Sequence, residues 1–81
     1  PSNSVDVKVY PNPSNGLINV TLTEEAEVLL IDMMGKVVAR ANYVGNANGV
    51  QFNADYLSAG VYNIVVNTEN ASVTERVTVI K

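Results

Sequence analysis

The sequence contains no cysteine, no histidine and no tryptophan. Without cysteine there are no disulfides, no thiolate metal sites and no sulfur nucleophile. Without histidine the usual general base near neutral pH and the commonest metal ligand are missing. Apolar runs stop after a handful of residues, whereas a bilayer-spanning helix needs about 20, so no transmembrane insertion is expected. The opening PSNSVDV has neither a basic nor an apolar leader region. A targeting segment for export would therefore lie on a longer precursor. The five cations Lys8, Lys36, Arg40, Arg76 and Lys81 are scattered, and the net charge is −3. Neither nucleic acid nor an anionic membrane is the expected partner.

What is present is enough for one folded unit. An 81-residue chain with 47% apolar residues has room for one domain and one core. Alternation dominates the pattern. Val5, Val7 and Val9 share a face opposite Asp6 and Lys8, and Ile18, Val20 and Leu22 share one opposite Asn19 and Thr21. Residues 26–32 are apolar on both faces, as in a central strand. Further strands are expected over 36–44, 49–53, 61–67 and 72–81. Residues 24–34 have some helix propensity, but the β-branched continuation and Gly35 favour a strand. In the last strand Glu75 shares a face with Val73, Val77 and Val79, which predicts a rim position or a bulge. Apolar residues continue to Ile80, so pairing is expected to the end, fixing Lys81 on the rim.

The turns carry mechanisms. In DMMGK, Asp32 can accept from backbone two residues on, and Gly35 suits the positive φ of a type I turn with a bulge. In DYLSAGVY, the spacing of Leu57, Gly60 and Tyr62 suits a tyrosine corner, in which the hydroxyl returns to upstream backbone. Seven short strands with turns about every ten residues predict an all-β fold, a seven-stranded antiparallel immunoglobulin-like β-sandwich. A barrel has the same strand count.

No catalytic constellation stands out. Most of the eight carboxylates fall on outward faces or in turns. A glycosidase pair would lack a sugar-stacking platform, and a serine nucleophile would lack its base. No calcium loop occurs, and the sequons at Asn19 and Asn70 are too short a pattern to decide anything. The expectation is a non-enzyme with no metal and no cofactor. The least ordinary stretch is YPNPSNG. Pro11 and Pro13 cannot donate to a ladder, so they end the first strand and protect a sheet edge. They also stiffen Tyr10 and Asn12, and Asn15-Gly16 allows the turn into the next strand. A stiff crossover alone would explain this.

Three stretches together carry a resemblance: YPNPSNGLINV at 10–20, VLLIDMMGKVV at 28–38 and LSAGVYNIVV at 57–66. In this order and spacing, and with the match continuing to Lys81, they resemble the C-terminal sorting domain of type IX secretion system cargo (the Por secretion system type A sorting domain). Tyr10, Pro11, Asn12, Pro13, Gly16 and Val20 match its first motif, Asp32 and Gly35 its second, and Leu57, Gly60, Val61 and Tyr62 its third. Asn63 stands where an aliphatic residue is more usual, and Arg76 where a lysine is. The resemblance implies a linker remnant over 1–4 and a sorting domain over 5–81. It implies a non-catalytic signal that takes an N-terminal cargo through an outer-membrane translocon of a Gram-negative bacterium, by way of the periplasm, to the cell surface or beyond. A sortase then usually removes the signal. The rival expectation is an immunoglobulin-like spacer or adhesion module.

Overall fold

A computed structural model describes residues 7–45 and 48–81. Among these residues seven strands follow one another: β1 (Lys8–Tyr10), β2 (Leu17–Thr21), β3 (Ala26–Ile31), β4 (Val37–Tyr43), β5 (Gly49–Asn53), β6 (Gly60–Asn67) and β7 (Ser72–Val79). They form two antiparallel sheets, ordered β1-β2-β5 and β4-β3-β6-β7. The described residues thus form two separate sheets and no closed barrel.

The alternation decides which side chains meet. Ile18 and Val20 of β2 and Phe52 of β5 join Val28 and Leu30 of β3, Ile64 and Val66 of β6, and Val77 and Val79 of β7 in one buried cluster. Each such side chain contributes about 1.5–3 kcal/mol by leaving water. Val7 and Val9 pack against this cluster, as the alternation predicts. Val5, Asp6 and the linker expected over 1–4 lie outside the described residues. β3 and β6 are interior strands of their sheet, which is why Leu29, Ile31, Val61 and Val65 can be apolar on the outer face too.

Several strand ends differ from expectation by one or two residues: β3 ends at Ile31 and β4 begins at Val37, each one residue inside the expected bounds. β4 stops at Tyr43, leaving Val44 exposed in the connection. β6 begins one residue early, at Gly60, because that residue pairs with Val79. β7 ends at Val79, and Ile80 is exposed while Val77 and Val79 are buried. The Glu75 question resolves to the rim. Pairing of β6 with β7 runs unbroken from Gly60↔Val79 to Asn67↔Ser72, so no bulge shifts the register. Glu75 lies opposite Ile64 yet stays exposed, because β7 is an edge strand. An inward-facing charge there also discourages a foreign strand from pairing. The irregularity lies elsewhere, between β3 and β4, where Leu30↔Ala39 is followed by Ile31↔Val37.

Candidate recognition site at one end of the sheets

The YPNP stretch joins β1 to β2 of the same sheet and on the way runs along the edge of β7 in the other sheet. Both X–Pro bonds, Tyr10–Pro11 and Asn12–Pro13, are cis. The prolines offer no N–H, so the segment pairs through other groups. Asn12 Nδ2 donates to the Arg76 carbonyl (3.0 Å), and Thr78 N–H donates to Asn12 Oδ1 (3.1 Å). The side-chain amide thus takes the place that a peptide unit of a neighbouring strand would occupy. Backbone pairing continues from there. Ser14 N–H donates to the Thr78 carbonyl and Ile80 N–H to the Ser14 carbonyl, each at 2.7 Å, with Ser14 and Val79 forming a parallel bridge. Ser14 is fully buried, and its hydroxyl donates to the Leu17 carbonyl at 2.6 Å. The edge that the prolines protect is therefore that of β7, from Arg76 to Ile80. An asparagine between them is explained by its planar group, which both donates and accepts.

Two further turns stand at the same end. Asp32 Oδ1 accepts from Met34 N–H and Lys36 N–H, each at 2.9 Å. Gly35 N–H donates to the Asp32 carbonyl (3.0 Å), and Gly35 has φ +86°. This is the turn chemistry that the DMMGK reading predicts. In the connection between β5 and β6, Tyr62 Oη donates to the Ser58 carbonyl at 2.7 Å. The tyrosine corner is thus present, with Gly60 at φ +154°, where an L side chain is strained. Ala54 and Asp55 link this connection to the rest. Ala54 N–H donates to the Gly16 carbonyl (2.7 Å), and Lys81 Nζ donates to the Ala54 and Asp55 carbonyls (3.1 and 2.9 Å). Lys81 is held at the rim, although the strand itself stops two residues earlier.

The three sequence motifs thus converge on the end where β1, β3 and β5 finish and β2, β4 and β6 begin. Their residues divide by exposure. Val20, Leu57 and Tyr62 are buried and build the scaffold; Val20 sits within β2, opposite Val9 and Val50. Gly16, Asp32, Gly60 and Val61 are half-buried, while Tyr10, Pro11, Asn12, Pro13, Gly35 and Lys81 face solvent. The motif reading passes over the most exposed apolar groups. Among the described residues, the exposed large apolar side chains are Tyr10, Leu17, Met33, Met34, Val44, Tyr56 and Ile80, and all but Val44 belong to this end. Met34 is 91% exposed and Met33 69%. Two methionines at a turn tip, where polar residues are usual, were the available signal.

Two open depressions meet at Asp32 and Tyr62. One, of about 420 Å³, includes Val38 and Tyr56 in its wall; the other, of about 230 Å³, includes Met33, Met34 and Gly60. Tyr56 Oη donates to the Val38 carbonyl at 3.3 Å, which holds its ring beside the first. The opposite end has another chemistry: Glu24, Glu25 and Glu69 surround an open depression of about 590 Å³. Among the described residues no three acidic side chains are grouped to hold a metal ion.

Comparison with protein families matches residues 8–81 to one family, described as the secretion system C-terminal sorting domain. No curated protein matches the chain.

Proposed function

From the premise that this chain belongs to the secretion system C-terminal sorting domains, the type IX secretion signals, we propose that it is a folded, non-catalytic address. The cargo lies N-terminal to it in the precursor. The route runs across the periplasm of a Gram-negative bacterium and through the outer-membrane translocon to the cell surface or beyond, where a sortase removes the signal. The observation that carries this reading is the family match over 8–81, which contains all three motifs. Their convergence on one end of the fold supports it, since a receptor would meet them together. The strand orders β1-β2-β5 and β4-β3-β6-β7, with a tyrosine corner at β6, support an immunoglobulin-like sandwich as the carrier of the signal.

Two modes of reading are open to a sheet protein: strand addition at an edge, or docking on a surface. The crossover at 12–14 already occupies the β7 edge from Arg76 to Ile80, which favours docking on the end over strand addition at that edge. The test is a fusion of residues 1–81, behind a periplasmic signal peptide, to a fluorescent carrier in a secretion-competent host. Surface fluorescence that disappears when the translocon is deleted is the expected result. A carrier that stays in the periplasm of the intact host would overturn the reading.

A further inference from the structure

We propose that the apolar tip formed by Met33, Met34 and Tyr56 is the surface by which a protein receptor of the secretion machinery holds this domain end-on, with the acidic end turned away. The proposal rests on the sorting function above and assigns its contact surface to side chains outside the three sets of motif residues.

The first argument is placement. A monomeric surface tolerates single exposed apolar groups without any special role. Among the described residues, six such side chains stand at one end and one, Val44, at the other. Folding does not need the tip to be apolar. The turn is closed by Asp32 and Gly35 through backbone and carboxylate bonds that are indifferent to the side chains of Met33 and Met34.

The second argument is chemical. Tyrosine and methionine are enriched where proteins meet one another. Methionine is unbranched and polarizable, so it adapts to an irregular apolar pocket. The two depressions beside the turn would receive the receptor's own side chains, and Tyr56 is held at the wall of one by its bond to Val38.

The third argument selects the occupant. An anionic bilayer is disfavoured by the net charge of −3 and by the engagement of the Lys81 ammonium with two carbonyls. A second copy is disfavoured by area. The molecule extends 39 × 25 × 19 Å, and eight-residue strands take up about 26 Å of the longest dimension. An end is therefore on the order of 500 Å², short of the ~800 Å² per partner of a standard stable interface. A contact of this size suits a receptor that must also let go.

The experiment uses the same carrier fusion with Met33→Gln, Met34→Gln and Tyr56→Gln combined. The control carries Val44→Gln, Glu24→Gln and Glu69→Gln at the other end. The tip variant is expected to lose surface fluorescence about tenfold or more, as when interface anchors are removed, with the carrier retained in the periplasm and the melting temperature within a few degrees of the parent. The control is expected to be delivered like the parent. Delivery of the tip variant at the parental level, or equal loss in both variants, would overturn the proposal while leaving the sorting function standing. A parent that is not delivered would overturn both. Tip-dependent sedimentation with phosphatidylcholine–phosphatidylglycerol vesicles, or a dimer in analytical ultracentrifugation that the tip variant abolishes, would assign the surface to another occupant and overturn the receptor proposal.

Discussion

At one end of this molecule the connections are tied to each other by several bonds; at the other, edged with carboxylates, one such bond, from Leu22 N–H to the Asn48 carbonyl (3.1 Å), joins the β2–β3 and β4–β5 connections, and the third connection is a hairpin. The tied end interlocks the 11–16 crossover, the connection between β5 and β6, and residues 80–81 through Ser14, Gly16, Ala54 and Lys81. Beside them the Asp32 turn and the tyrosine corner are each closed by bonds of their own. At the acidic end, the β6–β7 turn is closed by its own Thr68, whose hydroxyl accepts from Asn70 and Ala71 N–H. Local closure needs only nearby residues, whereas the tied end depends on partners as far apart as Asn12 and Thr78. Substitutions at the two ends should therefore differ in cost, and a series of variants can break or sharpen the contrast.

The largest effect is expected from deleting Val79, Ile80 and Lys81. Of these only Val79 is buried, a loss of about 1.5–3 kcal/mol. The bonds of Ile80 and Lys81 to Ser14, Ala54 and Asp55 go with it, at roughly 0.5–1.5 kcal/mol each. Chemical denaturation should show a loss of about 3–7 kcal/mol. A loss under about 1 kcal/mol would mean that the tied end is not held from the C-terminal side.

Next come the two corner variants. Gly60→Val places a β-branched residue at φ +154°, where strain rather than space is the obstacle, since nothing lies within 4 Å of an added Cβ. The expected cost is about 1–3 kcal/mol. Tyr62→Phe keeps the ring and removes one bond, at about 0.5–1.5 kcal/mol. Thermal melts in which neither variant shifts would remove the corner from the account of the tied end.

Asn12→Asp tests the crossover. The carboxylate can still accept from Thr78 N–H, but it turns an oxygen toward the Arg76 carbonyl where the amide donated. A cost of about 1–2 kcal/mol is expected at neutral pH, with Asn12→Ala cheaper because the exposed carbonyl then finds water. If Asp and Asn proved equally stable, the amide would not be acting as a substitute peptide unit.

The smallest effect belongs to the acidic end. Glu24→Gln, Glu25→Gln and Glu69→Gln are exposed changes, and each should leave the melting curve within about 0.5 kcal/mol of the parent. A larger loss for any of them would show that this end, too, relies on specific contacts.

Much of the fold was legible. Alternation of Val and Ile located seven strands to within one or two residues wherever they are described, because period-two burial is written locally. Gly35, Asp32 and Tyr62 were legible for the same reason, since each acts on backbone within four residues. The role of Asn12 was only half visible. Two flanking prolines announce a protected edge, but nothing nearby in sequence says that the edge is β7. The exposure of Met33, Met34 and Tyr56 was not legible either, because apolar residues in short connections are as often buried, as Leu57 is one residue after Tyr56.

By itself, then, the sequence determined the strands, the turn types, the corner and the family motifs, all of which follow from backbone preferences and side-chain parity over a few residues. Only the tertiary structure decided that the crossover zips to β7, that Lys81 reaches back to Ala54 and Asp55, and that the exposed apolar groups gather at one end while Glu24, Glu25 and Glu69 gather at the other. The reason is physical. Strand pairing joins residues more than sixty positions apart, and which ends of which strands become neighbours is set by how two sheets share one core, a condition that no local window contains.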